Sequence, residues 1–464
     1  MGDESGMRKN LLPVLALLTG TLFLFLGNGL HSLLMPMRGA TEGYSETVLG
    51  FFGTSWAAGF VLGCIFARRL VKRIGHVRAF SGFISIIAIT ALATGIYVDP
   101  TFWILSRAIT GFSSAATAMI IESWLNERAT NESRGMIFSF YISITLLGVV
   151  GGQMTVAFAD IKMQTLFLMA GIYYCFAMLP TLVSNAQSPA PLNEIKLDLV
   201  ALYKNSPVSF IGILLVGIAN GAWGTLGAVF GAKAGLSTGD IALMMTITIF
   251  AGAAMQIPAG RMSDRMDRRY VLAILSAVAF LAGFQLLVIQ PTNVMTLLIL
   301  IGVYGATANA LYPIAVAHAN DFAKSSDFVA ISGGLLLLYG IGTVIGPTVG
   351  GPVMQNLGPY SLFGVTAIAH VLIVAYAILR SRRRAPVPVG ERDSYQSVSS
   401  GTTVTPESLA LNPRAAPLPE EAVVAEAAPV VEPAPAAQAA TDEALPAEDD
   451  KANLGPGKPT AEPA

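Results

Sequence analysis

Residues 260–269 read GRMSDRMDRR, a short island of charge between two long apolar runs at 238–259 and 270–289. A helix that crosses the hydrocarbon core of a bilayer needs about 20 mainly apolar residues, and each run supplies them. The island carries Arg261, Arg265, Arg268 and Arg269 beside Asp264 and Asp267, so it reads as a polar hairpin joining two spans. A similar island, RRLVKRIGHVR at 68–78, lies about 192 residues earlier, between the runs 47–67 and 77–97. A second pair of segments, LLGVVGGQ at 146–153 and GTVIGP at 342–347, keeps almost the same offset. The chain therefore reads as a duplicated membrane protein.

Composition agrees. The 464 residues are 53% hydrophobic and 12% charged, against roughly 25% charged in soluble proteins. That leaves too little polar surface for a water-soluble fold. Apolar runs fall near 11–35, 47–67, 77–97, 101–124, 135–159 and 164–185, then near 208–231, 238–259, 270–289, 294–317, 328–354 and 359–380. The expected fold class is an all-α membrane protein of twelve transmembrane helices in two pseudo-symmetric six-helix bundles. Its parts are an N-terminus at 1–10, bundles at 11–185 and 208–380, a polar central loop at 186–207 and a tail from 381. Parallel repeats of six helices enclosing a midplane site are a transporter architecture.

Orientation follows from lysine and arginine in the loops. Twenty of them fall on the side of both termini, and only Arg38, Lys162 and Lys233 on the other. The expected placement is a multi-pass protein of the inner (plasma) membrane with both termini cytoplasmic. Residues 385–464 are rich in Pro, Ala and Glu with few aromatics, a composition that does not offset the entropy of ordering. A disordered tail is expected there. Cys64 and Cys175 both lie in apolar runs and read as small buried hydrophobes. No phosphate-binding G-x-x-x-x-G-K-[ST] loop and no metal-ligand cluster is present, so no cofactor, no metal, no nucleic acid and no enzymatic chemistry are expected.

The islands carry a family resemblance. A loop of the form G-x-x-x-D-R-x-G-R-R after the second span of each half marks the major facilitator superfamily. Gly260, Asp264, Arg265, Arg268 and Arg269 fit it, with Asp267 in place of a glycine. In the first half Arg73 and Gly75 survive, and Lys72 stands where the aspartate belongs. Arg107 and Gly111 meet a further R-x-x-x-G mark in span four. VKRIG at 71–75, ESW at 122–124, SRG at 133–135 and LYPIAVA at 311–317 resemble the YcaD-type branch. The resemblance covers roughly 1–384. It implies the major facilitator fold, a cavity lined by spans one, four, seven and ten, and a gating role for Lys72, Arg73, Gly75, Gly260, Asp264, Arg265 and Arg268.

Span four holds the charges that need explaining. At about 100° per residue, Arg107, Gly111, Ser114, Ala118 and Glu122 share one arc. Small residues on that stripe suit close helix packing, which does not account for Arg107 or Glu122. The fifteen residue steps from one to the other correspond to about 22 Å along the axis, so they do not pair. Arg107 reads as a binding site for an anionic or hydrogen-bonding solute, or a coupling residue, the alternative being a partner on a neighbouring helix. Glu122 reads as a proton carrier, or as a partner for the basic loop at Lys72 and Arg73. Weaker candidates are Asn28, His31, Gln153, Asn220, Trp223, Gln256, Asn309 and Tyr312.

The function expected is secondary active transport of a small organic solute by alternating access, as proton-coupled uptake by a monomer. Proton-driven drug or metabolite efflux is the first alternative. It is weakened because span five carries Gly152–Gln153 where superfamily antiporters carry Gly-Pro. A non-transporting sensor or scaffold acting through the tail is the second.

Overall fold

The computed structural model describes residues 3–183, 198–323, 327–388, 392, 395, 404–412 and 415. The rest of the central loop expected at 186–207, Lys324 and most of the expected tail lie outside the described residues. Among the described residues thirteen α-helices follow one another: α1 (Asp3–Thr41), α2 (Glu46–Ile74), α3 (His76–Ile96), α4 (Pro100–Arg128), α5 (Arg134–Thr155), α6 (Thr165–Val183), α7 (Leu199–Asn205), α8 (Pro207–Lys233), α9 (Thr238–Arg265), α10 (Arg268–Ile289), α11 (Val294–Asn320), α12 (Phe328–Leu357) and α13 (Leu362–Ser381). Among the described residues, eleven helices are long and apolar enough to cross a membrane; α6, with a shorter apolar stretch Thr165–Leu179, takes the twelfth place. The short α7 lies within the expected central loop.

Local chemistry sets the helix ends. Asp99 caps α4 by accepting from the Phe102 amide at 2.7 Å, with Pro100 in the first turn. Ser45 caps α2 and Ser237 caps α9 in the same way. Gly75 ends α2 at φ 85, a left-handed conformation that only glycine adopts cheaply. Short connections make consecutive long helices antiparallel. One end of the bundle, here the terminal face, therefore holds the α2–α3 and α4–α5 turns and the end of α13. The opposite face holds the α1–α2 and α8–α9 turns.

The duplication is visible in the packing. In the first half α1 packs on α5 and α6, α2 on α4, and α3 on α4 and α6; in the second, α8 packs on α12 and α13, α9 on α11, and α10 on α11 and α13. Lipid offers apolar side chains as good a solvent as another helix, so close backbone approach has to supply the attraction. The α2–α4 contact shows how. A Cβ at Gly111 would fall 2.0 Å from the Trp56 carbonyl oxygen, and one at Gly59 would fall 2.0 Å from that of Ala108. The outward surfaces carry exposed Leu62, Ile65, Phe66, Ile89, Leu105, Phe250 and Phe284.

The halves meet directly on the opposite face. Thr47 donates to Gln355 at 2.5 Å, Lys233 pairs with Glu46 at 2.9 Å, and the hydroxyls of Thr54 and Thr348 lie 2.9 Å apart. On the terminal face a piece of the tail stands between them. The expectation of disorder from 381 onward fails for residues 404–412: Pro406–Leu411 forms a 3-10 helix, and Val404, Leu409 and Leu411 are buried. Composition averaged over a long Ala- and Pro-rich segment hid a short motif, TPESLAL, whose apolar residues find a ready surface.

Candidate functional site

A cavity of about 330 Å³ lies between the halves. Its wall is drawn from α1, α2, α4, α5, α8, α9, α11 and α12. Asn28, Arg107, Gln153, Asn220, Trp223, Gln256 and Asn309 line it, alongside Phe25, Phe52, Trp56, Thr248, Tyr339 and Thr343. Arg107 is the only charged side chain in that wall among the described residues. It is 6% exposed, and its guanidinium carbon sits 5.6 Å from the centre of the Trp56 ring. Such a cation–π contact is worth about 2 kcal/mol when desolvated. Among the described residues no carboxylate pairs with Arg107, and its Nε has no hydrogen-bond partner.

The amides around it differ in how they are held. Asn28 accepts from the Tyr174 hydroxyl at 3.1 Å, and Asn309 donates to the carbonyls of Thr248 and Gly305, both at 3.0 Å. By contrast, Gln153 Oε1, Asn220 Nδ2 and Trp223 Nε1 are buried without a partner among the described residues. A buried polar atom left unpaired costs about 1–3 kcal/mol. The cavity thus presents a guanidinium and several open donors and acceptors against aromatic walls, an arrangement suited to a small anionic or polar organic molecule.

Three expected site residues do not line this cavity. His31 is buried on the far side of α1, 6.4 Å ring-to-ring from Phe167 on α6, and neither ring nitrogen has a partner among the described residues. Tyr312 lies behind Tyr339, edge-on at 5.1 Å, and it is Tyr339 that reaches the wall. Glu122 is fully buried toward the terminal face and does not look into the passage. Its carboxylate accepts from the Tyr141 hydroxyl at 2.9 Å, the Thr405 amide at 2.9 Å, the Ser408 amide at 3.1 Å and the Thr405 hydroxyl. Spans one, four, seven and ten all reach the wall, and spans two, five, eight and eleven share it. Span four gives Arg107 alone and span ten Asn309 alone. Trp56 and Tyr339 were missed by sequence reasoning: an aromatic inside an apolar run looks like core, and only a neighbouring unpaired arginine marks Trp56 out.

The expected gating residues lie on the terminal face. Lys72 and Arg73 are exposed at the end of α2, as is Arg265 at the end of α9. Asp264 accepts from the Tyr395 amide at 2.8 Å, and a Cβ on Gly260 would meet the Tyr395 ring at 2.4 Å. Arg268 is buried against Asp321 at 2.7 Å and Ser263 at 2.9 Å, so it staples α10 to the end of α11 within one half. Asp267 pairs with Arg269 at 2.6 Å. Burial works to raise the Asp267 carboxyl, but the hydrogen bonds and charge of Arg269 win and hold it below its ordinary value. In the first half, Arg68 pairs with Glu407 of the tail. Burial pushes the Glu407 carboxyl above its usual range, with the charge and hydrogen bond of Arg68 pulling the other way. Among the described residues no group of three or more His, Cys, Asp or Glu is placed to hold a metal ion.

Comparisons with known proteins bear on the whole arrangement. The profile of the Major Facilitator Superfamily matches residues 17–239 and 208–425. The MFS-type transporter YcaD of Shigella flexneri is 27% identical over 379 residues, 81% of this chain and 98% of that protein. Its counterpart in Escherichia coli strain SE11 gives the same figures. Among solved structures, the nucleoside transporter NupG superimposes with a TM-score of 0.67 at 17% identity, covering 79% of this chain and 98% of NupG. A bacterial homolog of the human lysosomal transporter Spinster, in an inward-facing and occupied conformation, gives 0.68 at 15% identity, covering 82% and 98%. At those identities the two structures speak for the fold alone. With two matched six-helix halves enclosing a polar cavity, the chain belongs to the Major Facilitator Superfamily and is a transporter of the YcaD type.

Proposed function

We propose that this chain is a secondary active transporter that takes up a small organic anion, a carboxylate or similar group, in company with protons. The observation that carries the reading is Arg107: a buried guanidinium in the wall of the cavity with no carboxylate beside it among the described residues. A cation held there without a counter-ion is costly, and an anionic solute offsets that cost as it binds. The open polar atoms of Gln153, Asn220 and Trp223 then supply hydrogen bonds to the rest of the molecule. Trp56 and Phe52 add apolar wall beside it, and a charge contact is stronger in apolar surroundings than in water.

Rocking of the two halves about this site gives alternating access, with the terminal face toward the cytoplasm of an inner-membrane protein acting as a monomer. Glu122 acts as proton acceptor from that side, and Lys72, Arg73, Gly75, Gly260, Asp264, Arg265 and Arg268 shape the gate. The test is uptake into proteoliposomes of a panel of labelled carboxylates, chosen by a thermal-shift screen, under an imposed pH gradient. Uptake driven by an inward proton gradient and lost in Arg107→Ala supports the reading. Undiminished uptake by Arg107→Ala, or uptake indifferent to the gradient, overturns the corresponding part.

One observation favours a second reading. Phe25, Phe52, Trp56 and Trp223 give the cavity an aromatic wall that also suits amphiphilic drugs. Efflux would appear as resistance of an overexpressing strain to a panel of toxic compounds, with no accumulation of carboxylates.

A further inference from the structure

The terminal face holds an arrangement that a substrate site does not need. Residues 404–412 and Ala415 come from beyond the last helix, yet their hydrogen bonds reach α2, α4 and α5 of the first half. Thr405 and Ser408 bond Glu122, Glu407 pairs with Arg68, the Glu407 carbonyl accepts from Asn126 at 2.8 Å, and the Ala415 carbonyl accepts from Arg134 at 2.9 Å. The apolar side of the same segment packs on the other half: Leu409 and Ala415 cluster with Phe328 and Val329 at the start of α12. Upstream, Arg392 and Tyr395 are tied to Met266 and Asp264 at the end of α9.

We propose that residues 404–412, with Ala415, are a built-in clamp that holds the two halves together on the terminal face and must leave before the transporter can turn over. This rests on reading the chain as an alternating-access transporter. Such a cycle requires the halves to part and rejoin on that face. A segment hydrogen-bonded to one half and packed on the other fixes their separation, so the cycle stops while it is seated. The first half is built to receive it. Glu122 is a buried carboxylate, and the tail supplies most of its donors; a buried acid left without them is strongly disfavoured. Arg68 lies in the last turns of α2, in the motif whose family aspartate is replaced by Lys72, and Glu407 brings a negative charge to it from the tail. The ligand of this surface is therefore a stretch of the chain's own C-terminal region. Any partner or modification that takes up Thr405, Glu407 or Ser408 would switch transport on.

The test uses the full chain with Cys64 and Cys175 replaced by serine and spin labels at Val77→Cys and Tyr270→Cys, two exposed positions at the starts of α3 and α10. Label-to-label distances and initial uptake rates are measured for the parent and for Glu407→Arg, Leu409→Asp and a chain ending at Tyr395. A single narrow distance in the parent, broadened or shifted in the variants, with uptake about threefold or more faster, supports the clamp. An unchanged distance distribution in all three variants overturns it even when uptake is measurable, and so do shifted distances with unchanged or slower uptake. Shifted distances with no uptake by any form, the parent included, uphold the mechanical clamp and count against the transport reading instead. Retained detergent-solubilised monomer in two of the three variants guards against misfolding of one.

Discussion

The two halves repeat each other in helix packing but differ in how their second-to-third-span loops are held. In the second half the loop's buried arginines are held by groups of that same half, although Asp264 and Met266 also bond Tyr395 and Arg392 of the tail. Arg268 is buried on Asp321, Asp267 caps α10 and pairs with Arg269, and Arg269 also donates to the Arg380 and Arg384 carbonyls. In the first half Lys72 and Arg73 stay exposed, and Arg68 finds its carboxylate on Glu407, more than 300 residues away. The central helices differ likewise. Setting the first residues of α4 and α11 in register, Pro100 on Val294, places Ile301 opposite Arg107 and Val316 opposite Glu122. The second half is a stapled scaffold, while the first keeps its charges for contacts that can be made and broken. Duplication supplied one fold twice, and the two copies have been put to different uses.

Breaking the staple should have the largest effect on stability. Arg268→Ala strands a buried Asp321, and truncating one partner of a buried pair costs about 3–5 kcal/mol. Chemical denaturation of the purified protein in detergent should show a loss of this order, whereas loss of less than about 1 kcal/mol would mean the pair is not buried in solution. Arg107→Ala should lower initial uptake about 100-fold while leaving the melting temperature within a few degrees, equivalent to roughly 2.7 kcal/mol of binding. Arg107→Lys keeps the charge but not the planar fork and should fall between.

Gly111→Val sharpens the comparison from within α4. Its side chain would be driven into the Trp56 carbonyl, and overpacking of that kind costs about 1–3 kcal/mol. It should lower stability and, by moving Trp56, weaken solute binding together with it; stability lost with affinity intact would separate the helix contact from the cavity. The smallest effect is expected from Arg68→Ala. Its partner sits on a segment that can leave, so the loss should be about 1 kcal/mol or less. The same substitution should vanish as an effect in the chain ending at Tyr395. A full-sized loss in the shortened chain would show that Arg68 stabilises the first half by itself.

Much of this was written in local sequence. The apolar runs, their lengths and the basic islands at 68–78 and 260–269 set the spans and the duplication. Asn28, Arg107, Gln153, Asn220, Gln256 and Asn309 stood out as polar residues inside those spans, and all of them reach the cavity wall. Other features were not legible. His31 and Tyr312 are as polar as their neighbours, but each is turned behind an aromatic of the adjacent helix. Trp56 is indistinguishable from core until Arg107 is set beside it.

The sequence by itself determined that this chain spans a membrane as two six-helix repeats, because hydrophobic length and charge placement act on each segment independently of the others. Only the tertiary structure decided which buried charges face a cavity and which are sealed. That depends on helix rotation and on close approaches such as Gly111 to Trp56. It also depends on a few tail residues meeting a carboxylate nearly 300 positions earlier in the chain, a pairing that no local pattern encodes.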